Sequence, residues 1–384
     1  MRRIISKMDI WLLIATIFLV VLGLIMIYSA SNVTAVVRYG LEPSHFFVRQ
    51  AVFVVAALLF GIFIISFPTR NYSFFAWVLI FLIIFALGFL FVYGRITNSA
   101  ISWYDFKFFK IQPSEFAKSI LIVFSAVYYH NLNKHKVLNI YAYFIPLAFS
   151  AIIIGLVLMQ PDLGSAAITT GITFMMFISM PVVRKNSGKV TKIIVGAIIV
   201  VLLGLLFLGK SLINDMQLSR FNFRNPCSRY TEKTGYQVCN GFIAINNGGL
   251  FGVGLGKSTQ KYLYLPESHT DFIFPIIVEE LGLVTGIVVV LLYLFILYRI
   301  FKIAKTSETL RCSVLAYGTF WYLTFHILIN LMGVLALIPL TGVPLPFLSY
   351  GGSFTINAII MIMVVERVAI ENNINKVNRQ IKGL

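Results

Sequence analysis

Long, uninterrupted apolar runs are the feature that most constrains how this chain folds. Ten runs succeed one another, each close to the ~20 residues that a helix needs to cross a bilayer core about 30 Å thick. They cover residues 9–30, 47–66, 73–93, 114–131, 140–159, 165–183, 192–209, 271–299, 312–337 and 353–371. Backbone groups inside a bilayer must be hydrogen-bonded within the protein, and a barrel would show short alternating segments instead. The runs therefore predict an all-α polytopic membrane protein with ten transmembrane helices.

The composition agrees with a membrane-embedded chain and argues against a separate soluble domain. Of 384 residues, 59% are hydrophobic and 12% are charged, whereas about a quarter of residues are charged in soluble domains. We expect a single transmembrane domain over residues 1–384. The first run follows Arg2 and Arg3 without a cleavage-site pattern, so we expect a retained helix and not a signal peptide.

Lysine and arginine are concentrated in alternate loops. In a soluble protein the net charge of +17 would suggest a nucleic-acid partner, but in a membrane protein it follows from the excess of basic residues in cytoplasmic loops, and we expect no nucleic acid. With the basic loops inside, both termini are cytoplasmic and the long connection 210–270 between helices seven and eight is extracytoplasmic. Its alternating aromatic, apolar and glycine residues predict short re-entrant or interfacial helices.

Ionisable residues stand at the start of the eighth apolar run. Glu267, His269 and Asp271 precede it, and Glu279 and Glu280 lie inside it. A carboxylate where lipid meets water is well placed to act as a general base. Asp271 or Thr270 could equally serve as the N-cap of the helix, and the residues alone leave both interpretations open. Acids as deep as Glu279 and Glu280 require a partner or a wet cavity, so we expect at least one of them to face the interior.

Three further segments carry polar residues at the extracytoplasmic ends of helices. In KIQPSEFAKS, Glu115 and Lys118 are three residues apart and can pair on one helix face, or Lys118 can present its charge to an anionic ligand. In MQPDLGSA, turn chemistry explains the proline and glycine but not Asp162. IPLTGVPLPFLSYGGS must be a shaped loop or broken helix, because irregular backbone at this depth has to be covered by protein or line a cavity.

The long connection itself has an excess of positive charge. Arginine suits phosphate because its planar group donates hydrogen bonds in pairs, so Arg220 and Arg224 are candidate ligands for an anion. Cys227 and Cys239 both lie in this connection, and we expect them to form a disulfide. The segment FGVGLGKS resembles a nucleotide P-loop but has Phe251 where glycine is required, and we reject that function. The five histidines show no metal-ligand spacing, so we expect no dedicated metal site.

Several of these motifs occur together in one known family. QPSEFAK, QPDLGS, NNGGLFGVGLGKSTQK, LPESHTDFIF, EELG and PLPFLSYGGS resemble, in this order, the motifs of the SEDS family (shape, elongation, division and sporulation) over nearly the whole chain. The resemblance implies ten transmembrane helices and a peptidoglycan glycosyltransferase that polymerises lipid II at the outer face of the bacterial cytoplasmic membrane. It also implies a class B penicillin-binding protein transpeptidase as partner, among other cell-wall machinery. The segment KSTQKYLYLPE is more similar to the FtsW and SpoVE branch than to the RodA branch.

The resemblance also assigns roles to individual residues. Asp271 in HTDF matches the family's catalytic aspartate. The other candidate substrate-binding residues are Arg49, Trp103, Glu115, Lys118, Asp162, Arg220, Arg224, Glu267, His269 and Ser349. One segment departs from the family, because NSAISW keeps Trp103 but lacks the paired arginines usual before QPSE.

Residues and resemblance together predict a mechanism with one base and no nucleotide. Asp271 would take the proton of the acceptor sugar's 4-hydroxyl as it attacks the donor's anomeric carbon, while outer-face cations hold the pyrophosphate. A divalent cation, Mg²⁺ or Mn²⁺, could bridge the pyrophosphate and a carboxylate, although the sequence contains no ready-made ligand cage. Two other functions remain open, a lipid II flippase that uses Glu279 or Glu280, and a non-catalytic scaffold of the division or elongation machinery.

Overall fold

The computed structural model describes residues 7–97, 100–106, 109–196 and 223–381. Its helices are α1 (Ile10–Tyr39), α2 (His45–Ser66), α3 (Tyr72–Tyr93), α4 (Pro113–Lys134), α5 (Ile145–Met159), α6 (Leu163–Ile178), α7 (Pro181–Lys185), α8 (Lys233–Gly248), α9 (Ile273–Thr306), α10 (Leu310–Val334) and α11 (Gly352–Ile381). Single 3₁₀ turns cover Thr69–Asn71, Ile140–Phe144 and Pro226–Arg229. The three strands are β1 (Arg95–Thr97), β2 (Ala100–Asp105) and β3 (Lys110–Ile111). The protein is thus an all-α polytopic membrane protein with a small sheet.

Seven of these helices are long and apolar enough to cross a membrane. They are α1, α2, α3, α5 with its preceding turn, α9, α10 and α11, and α6 is a shorter apolar helix. Helix α4 has the length of a span but carries more polar residues, including Glu115 and Lys118. Most of the predicted helix 192–209 lies outside the described residues, so the count of ten stays a prediction.

Helix α11 forms the centre of the bundle. In the most apolar stretch of α11, 89% of the residues are buried, whereas only 28% are buried in the corresponding stretches of α2 and α3. It packs most extensively against α2 and also contacts α4, α9 and α10. The exposed residues of α2 and α3 are large and apolar, as expected where the surroundings are acyl chains. Because α11 is covered by protein, its polar residues at the start of the helix can be held in fixed positions.

Helix α9 is broken near its beginning. Gly282 adopts φ 87° and ψ 165°, which divides α9 into a short first part and the long part that continues to Thr306. The glycine loop, which we define as residues 249–257, fills the break. Val253 and Gly254 donate backbone hydrogen bonds to the carbonyls of Glu279 and Glu280, and Leu283 donates to Gly249. The predicted eighth helix, 271–299, is therefore two helical pieces with a loop bonded between them.

A three-stranded antiparallel sheet in the order β1-β2-β3 lies between α3 and α4. The sequence analysis did not predict it. The Tyr104 hydroxyl donates to the Ala86 carbonyl at 2.7 Å, which attaches β2 to α3. Ser102 Oγ lies 3.5 Å from the Gln160 carbonyl at the end of α5. The sheet covers one part of the bundle end at which α4 begins and α10 ends, which we call the site face.

The connection before α9 contains the expected disulfide and helix. Cys227 in the 3₁₀ turn is bonded to Cys239 in α8, which confirms the predicted pairing. Helix α8 packs along α9, and Gly248 approaches it so closely that a Cβ atom would lie 2.1 Å from the Val278 carbonyl oxygen. The described part of this connection is thus folded onto the site face.

Candidate functional site

Asp271 lies on the site face, directly before the first part of α9. The helix begins at Ile273 with Phe272 in the N-cap position and no side-chain cap hydrogen bond. Of the two interpretations that the residues left open, the structure does not support that of Asp271 or Thr270 as the N-cap. Asp271 is buried, with an exposed fraction of only 7%. A Cβ atom on Gly342 would lie 3.8 Å from Asp271 Oδ2, so the loop 341–351 passes beside the carboxylate.

A second carboxylate shares a hydrogen-bonding partner with Asp271. The Thr270 hydroxyl lies 2.9 Å from Glu267 Oε2 and 3.1 Å from Asp271 Oδ1. One hydroxyl proton can satisfy only one of these oxygens at a time. Glu267 and Asp271 are therefore coupled through Thr270, because the hydrogen bonding of one carboxylate depends on that of the other.

The backbone around Asp271 is fixed by contacts from distant parts of the chain. Asn330 Nδ2 in α10 donates at 2.8 Å to the Asp271 carbonyl and at 2.8 Å to the Val343 carbonyl. Tyr350 donates its backbone N–H to the His269 carbonyl at 2.9 Å. These bonds hold the backbone of the HTD segment from two sides.

The segment 349–355 is the point where the polar motifs converge. Gln50 in α2 donates to Thr355 Oγ1 at 2.7 Å and accepts from Gly351 N at 3.2 Å. Gln112 donates its backbone N–H to Ser353 Oγ at 3.1 Å. The residues of VRQ, QPSE, HTD and SYGGS, which are separated by up to about 300 positions in the sequence, therefore meet at the start of α11.

His269 lies in an aromatic cluster close to this point. Its ring centroid is 4.6 Å from that of Phe46 and 5.7 Å from that of Tyr350. Burial, together with the positive charge of Arg38, lowers the pKa of His269 to about 4. The ring is therefore neutral at physiological pH, and it contributes packing and not charge to the site.

Arg49, one of the predicted cations, lies beside Tyr350 of this cluster. It is half-buried, and its side chain lies close to that of Tyr350. Burial raises the pKa of Tyr350, and the Arg49 charge opposes that rise. Arg49 and Arg38 thus place positive charge beside Tyr350 and His269, which favours an anionic ligand there.

Glu115 and Lys118 form a separate, fully enclosed cluster with a third residue. Lys118 Nζ lies 2.7 Å from Glu115 Oε1 and 3.2 Å from His326 Nε2. The three residues are 4%, 1% and 0% exposed. The predicted pairing on one helix face is present. Contact of Lys118 with a ligand stays a prediction, and it requires α4 and α10 to move apart.

Sequence reasoning missed the polar face of α10. Tyr322, His326 and Asn330 are each four residues apart, so they lie on one face of the helix. Asn357 Nδ2 in α11 lies 3.1 Å from the Tyr322 hydroxyl and 2.9 Å from the Glu115 carbonyl. The spacing of three polar residues in an apolar run was the signal that would have identified this face.

Asp162 has a structural contact that the sequence analysis did not find. It is the N-cap of α6 and accepts a hydrogen bond from Ser165 N at 3.0 Å. Its other oxygen accepts from Gln112 Nε2 at 3.0 Å. The carboxylate thus joins the start of α6 to the QPSE segment, and its contact with substrate stays a prediction.

Glu279 and Glu280 are buried and bind the glycine loop and its continuation. Glu280 accepts from Lys261 Nζ at 3.0 Å and from Gly256 N at 2.9 Å, and also from the Ser29 hydroxyl. Glu279 accepts from the backbone and side chain of Thr259 and from the Ser258 hydroxyl. The inward orientation that we expected is present, but both acids are satisfied by protein donors.

The remaining candidates are placed less centrally. Trp103 is half-buried in β2. Ser349 is fully buried, and its hydroxyl accepts from Leu345 N at 2.8 Å inside its own loop, a placement that does not favour substrate contact. Arg224 is exposed beside the disulfide, and Arg220 lies outside the described residues. Their roles in binding substrate stay predictions.

No group of three metal-ligating side chains comes together within residues 7–97, 100–106, 109–196 and 223–381. Mg²⁺ is usually bound by one or two carboxylates together with substrate phosphates and water, so a cation that bridges the pyrophosphate and Glu267 or Asp271 stays a prediction.

Comparison with known proteins places the chain in a family. The family of cell cycle proteins that includes FtsW, RodA and SpoVE matches residues 10–374. The probable peptidoglycan glycosyltransferase FtsW of Bacillus subtilis strain 168 is 37% identical over 359 residues, 92% of this chain and 88% of that protein. Stage V sporulation protein E of the same organism is 35% identical over 358 residues, 90% and 92% of the two chains. These relatives agree with the predicted similarity to the FtsW and SpoVE branch.

Solved structures share the fold. A chain of a peptidoglycan synthase complex aligns with a TM-score of 0.74 at 23% identity, covering 95% of this chain and 98% of that one. The rod shape determining protein RodA of Thermus thermophilus aligns with a TM-score of 0.66 at 25% identity, covering 94% and 96%. Since the family match spans almost all of the chain, this protein is a multi-pass membrane protein that belongs to the FtsW, RodA and SpoVE family.

Proposed function

We propose that the protein is a peptidoglycan glycosyltransferase that polymerises lipid II into β-1,4-linked glycan strands at the outer face of the cytoplasmic membrane. The observation that carries the proposal is the placement of Asp271, held by Asn330 and coupled through Thr270 to Glu267, at the convergence of the polar motifs. The name of the Bacillus subtilis FtsW relative, a probable peptidoglycan glycosyltransferase, supports it.

In the proposed mechanism, Asp271 is the general base. It takes the proton of the acceptor sugar's 4-hydroxyl as that oxygen attacks the anomeric carbon of the donor. The bond from this carbon to the pyrophosphate oxygen breaks, and attack from the opposite face gives inversion to the β-link. The leaving group is undecaprenyl pyrophosphate, and Arg49 is the cation of the site best placed to stabilise its charge. Glu267 competes with Asp271 for the Thr270 proton, and so influences which carboxylate oxygen is available to the substrate.

Membrane orientation is part of the proposal. The site face would be extracytoplasmic and both termini cytoplasmic, because the basic short loops lie at the opposite end of the bundle. The proposed partner is a class B penicillin-binding protein transpeptidase. The likeness to a chain of a solved peptidoglycan synthase complex, described as coordinating polymerization and crosslinking, supports this partner.

The flippase alternative loses its main support. It depended on Glu279 and Glu280 as groups on an ion pathway, and both carboxylates are occupied by Ser258, Thr259, Lys261 and backbone donors. A polymerase needs a base at one face of the membrane, whereas a transporter needs a path to both faces. The placement of Asp271 therefore favours polymerisation.

The test uses the purified full-length protein with its cognate transpeptidase and fluorescent lipid II in liposomes. We expect glycan chains longer than the substrate on a denaturing gel, formed only when the protein is present. Transfer of lipid II between leaflets is measured in the same liposomes with a membrane-impermeant reagent that destroys the label. Leaflet exchange without polymer would contradict the proposal and favour the flippase.

A further inference from the structure

The glycine loop exposes an unusual concentration of apolar side chains. Phe251 is 82% exposed, the highest value for a large hydrophobic residue in the described part of the chain. Leu250, Leu255 and Val253 are 61%, 56% and 39% exposed. Four such residues within six positions form a contiguous patch, and patches of this kind mark contact with a partner or a membrane.

The loop that carries the patch is held in one conformation. Its backbone bonds to the break in α9 through Val253 N, Gly254 N and the carbonyls of Gly249 and Leu250. Glu280 accepts from Gly256 N at 2.9 Å, and the Glu280 carboxylate is itself paired with buried Lys261. The apolar side chains are therefore presented by a fixed backbone and cannot retreat into the protein core by a simple loop movement.

The patch continues the lipid-facing surface of α9. Leu283 and Val284 donate backbone hydrogen bonds to Gly249 and Leu250, so the loop lies level with the first turn after the break. Leu283 and Val284 are 41% and 46% exposed, and Ile287, one turn further along, is 52% exposed. These residues begin the exposed face of a spanning helix, which must lie against acyl chains.

Polar and aromatic residues border the patch as they do at a membrane surface. Lys257 is exposed at the end of the loop, and Tyr262 and Tyr264 are 55% and 54% exposed just beyond it. Tyrosine is enriched at the level of lipid headgroups, and a lysine can keep its ammonium among phosphates while its methylene groups cover apolar surface.

We propose that the glycine loop is an interfacial anchor, which inserts Leu250, Phe251 and Leu255 into the leaflet on the site face and places Lys257 at the phosphate level. Because the same loop is bonded to the break in α9, the anchor fixes the depth of the first part of α9 and of the HTD segment just before it. A lipid surface is favoured over a protein partner because the patch is continuous with a helix face that is already surrounded by lipid. The proposal does not depend on the catalytic function.

The cysteines of the chain make a site-specific test practical. Cys227 and Cys239 are bonded to each other and Cys312 is buried, so all three native cysteines are protected from labelling. Phe251→Cys and Leu255→Cys are each labelled with bimane and placed in nanodiscs of phosphatidylethanolamine and phosphatidylglycerol. Thr231→Cys, at an exposed position in the turn before α8, is the matched control. Thermal unfolding of each labelled variant confirms that it is folded.

The readout is quenching by lipids that carry a nitroxide at different depths, compared with quenching by aqueous iodide. Since interfacial segments lie about 5–10 Å into the headgroup and acyl boundary, lipids labelled near the carbonyl end should quench both loop probes most strongly. Bimane emission from the loop probes should also be blue-shifted relative to the Thr231→Cys control. Strong iodide quenching with weak lipid quenching at both loop positions would overturn the anchor and leave the patch available to a protein partner.

Discussion

At the scale of single residues, the site face combines a carboxylate pair with a neutral, buried histidine. Thr270 connects Asp271 to Glu267, while His269 packs against both Phe46 and Tyr350. The three residues His269, Thr270 and Asp271 are consecutive, yet His269 faces an aromatic cluster whereas Thr270 and Asp271 belong to the carboxylate pair. Their order in the sequence predicted a polar site, but the partner of each side chain depends on helices that are distant in sequence.

The buried histidine predicts a pH dependence of stability. Its folded-state pKa is about 4, below the ordinary value of 6.5, so the unfolded state binds the proton more readily. The contribution of neutral His269 to the free energy of unfolding is therefore fully present above about pH 6.5. It decreases as the pH falls towards 4, by about 3 kcal/mol at most. His269→Phe keeps an aromatic ring but cannot titrate.

The measurement is the thermal unfolding midpoint in detergent at neutral pH and near pH 4.5, for the wild type and His269→Phe. We expect the acid-induced decrease to be smaller in the variant. An equal decrease in both proteins would show that other groups cause the acid sensitivity.

The enclosed ion pair predicts a strongly non-additive response to mutation. Lys118→Met leaves the Glu115 carboxylate buried without its 2.7 Å partner, which should lower the free energy of unfolding by about 3–5 kcal/mol. Adding Glu115→Gln removes the stranded charge, so the double variant should recover most of the loss. Chemical denaturation of the four proteins of this cycle gives the comparison.

An exposed ion pair provides the control for that cycle. Lys110 is 54% exposed and lies 3.8 Å from Asp105, so Lys110→Gln should change stability by less than about 1 kcal/mol. If Lys118→Met lowered the free energy of unfolding as little as Lys110→Gln does, the Glu115 carboxylate would have to be accessible to water.

At the scale of elements, the decisive feature is the break in α9. The run 271–299 is apolar and resembles one continuous helix, and only its two glycines, Gly282 and Gly286, permit φ 87° at low cost. The sequence therefore predicted the existence of the helix, but not that the glycine loop would enter it. The small sheet was missed for a related reason, because strands of two to six residues between helices give too short a pattern to recognise.

Gly282→Ala tests the break directly. An added Cβ would lie 2.3 Å from the Leu250 carbonyl oxygen, and the positive φ is itself strained for alanine, by about 1–3 kcal/mol. We expect a lower thermal unfolding midpoint and a displaced glycine loop. The matched control is Gly88→Ala in α3, where no atom lies within 4 Å, and it should be neutral or stabilising by up to about 1 kcal/mol. Similar midpoints for the two variants would contradict the tight packing at the break.

At the scale of the whole molecule, helix α11 brings the separate motifs together. The apolar runs were predictable because each membrane span must satisfy its own backbone hydrogen bonds. Which spans pack together was not, since a single sequence does not state that Gln50, Gln112 and His269 all contact residues 349–355. The resemblance to a known family identified the candidate residues, and the packing around α11 explains why they lie in one place.

The same packing separates two groups that looked equivalent in the sequence. Asp271 and Glu267 lie at the site face, whereas Glu115 and Lys118 are enclosed with His326 between α4, α10 and α11. All were candidates for contact with substrate. The proposed mechanism therefore uses only Asp271 and Glu267, because contact of Glu115 or Lys118 with a substrate would require a rearrangement of helices.

The most direct test of the account is polymerisation of lipid II by Asp271→Asn, assayed as purified protein with the cognate transpeptidase. Asparagine keeps the size and hydrogen-bonding reach of the side chain but cannot accept a proton as a base. The matched control is Asp105→Asn in β2, which should polymerise like the wild type. The account predicts that Asp271→Asn unfolds at the wild-type temperature and forms no glycan chains, and chains formed at the wild-type rate would contradict it.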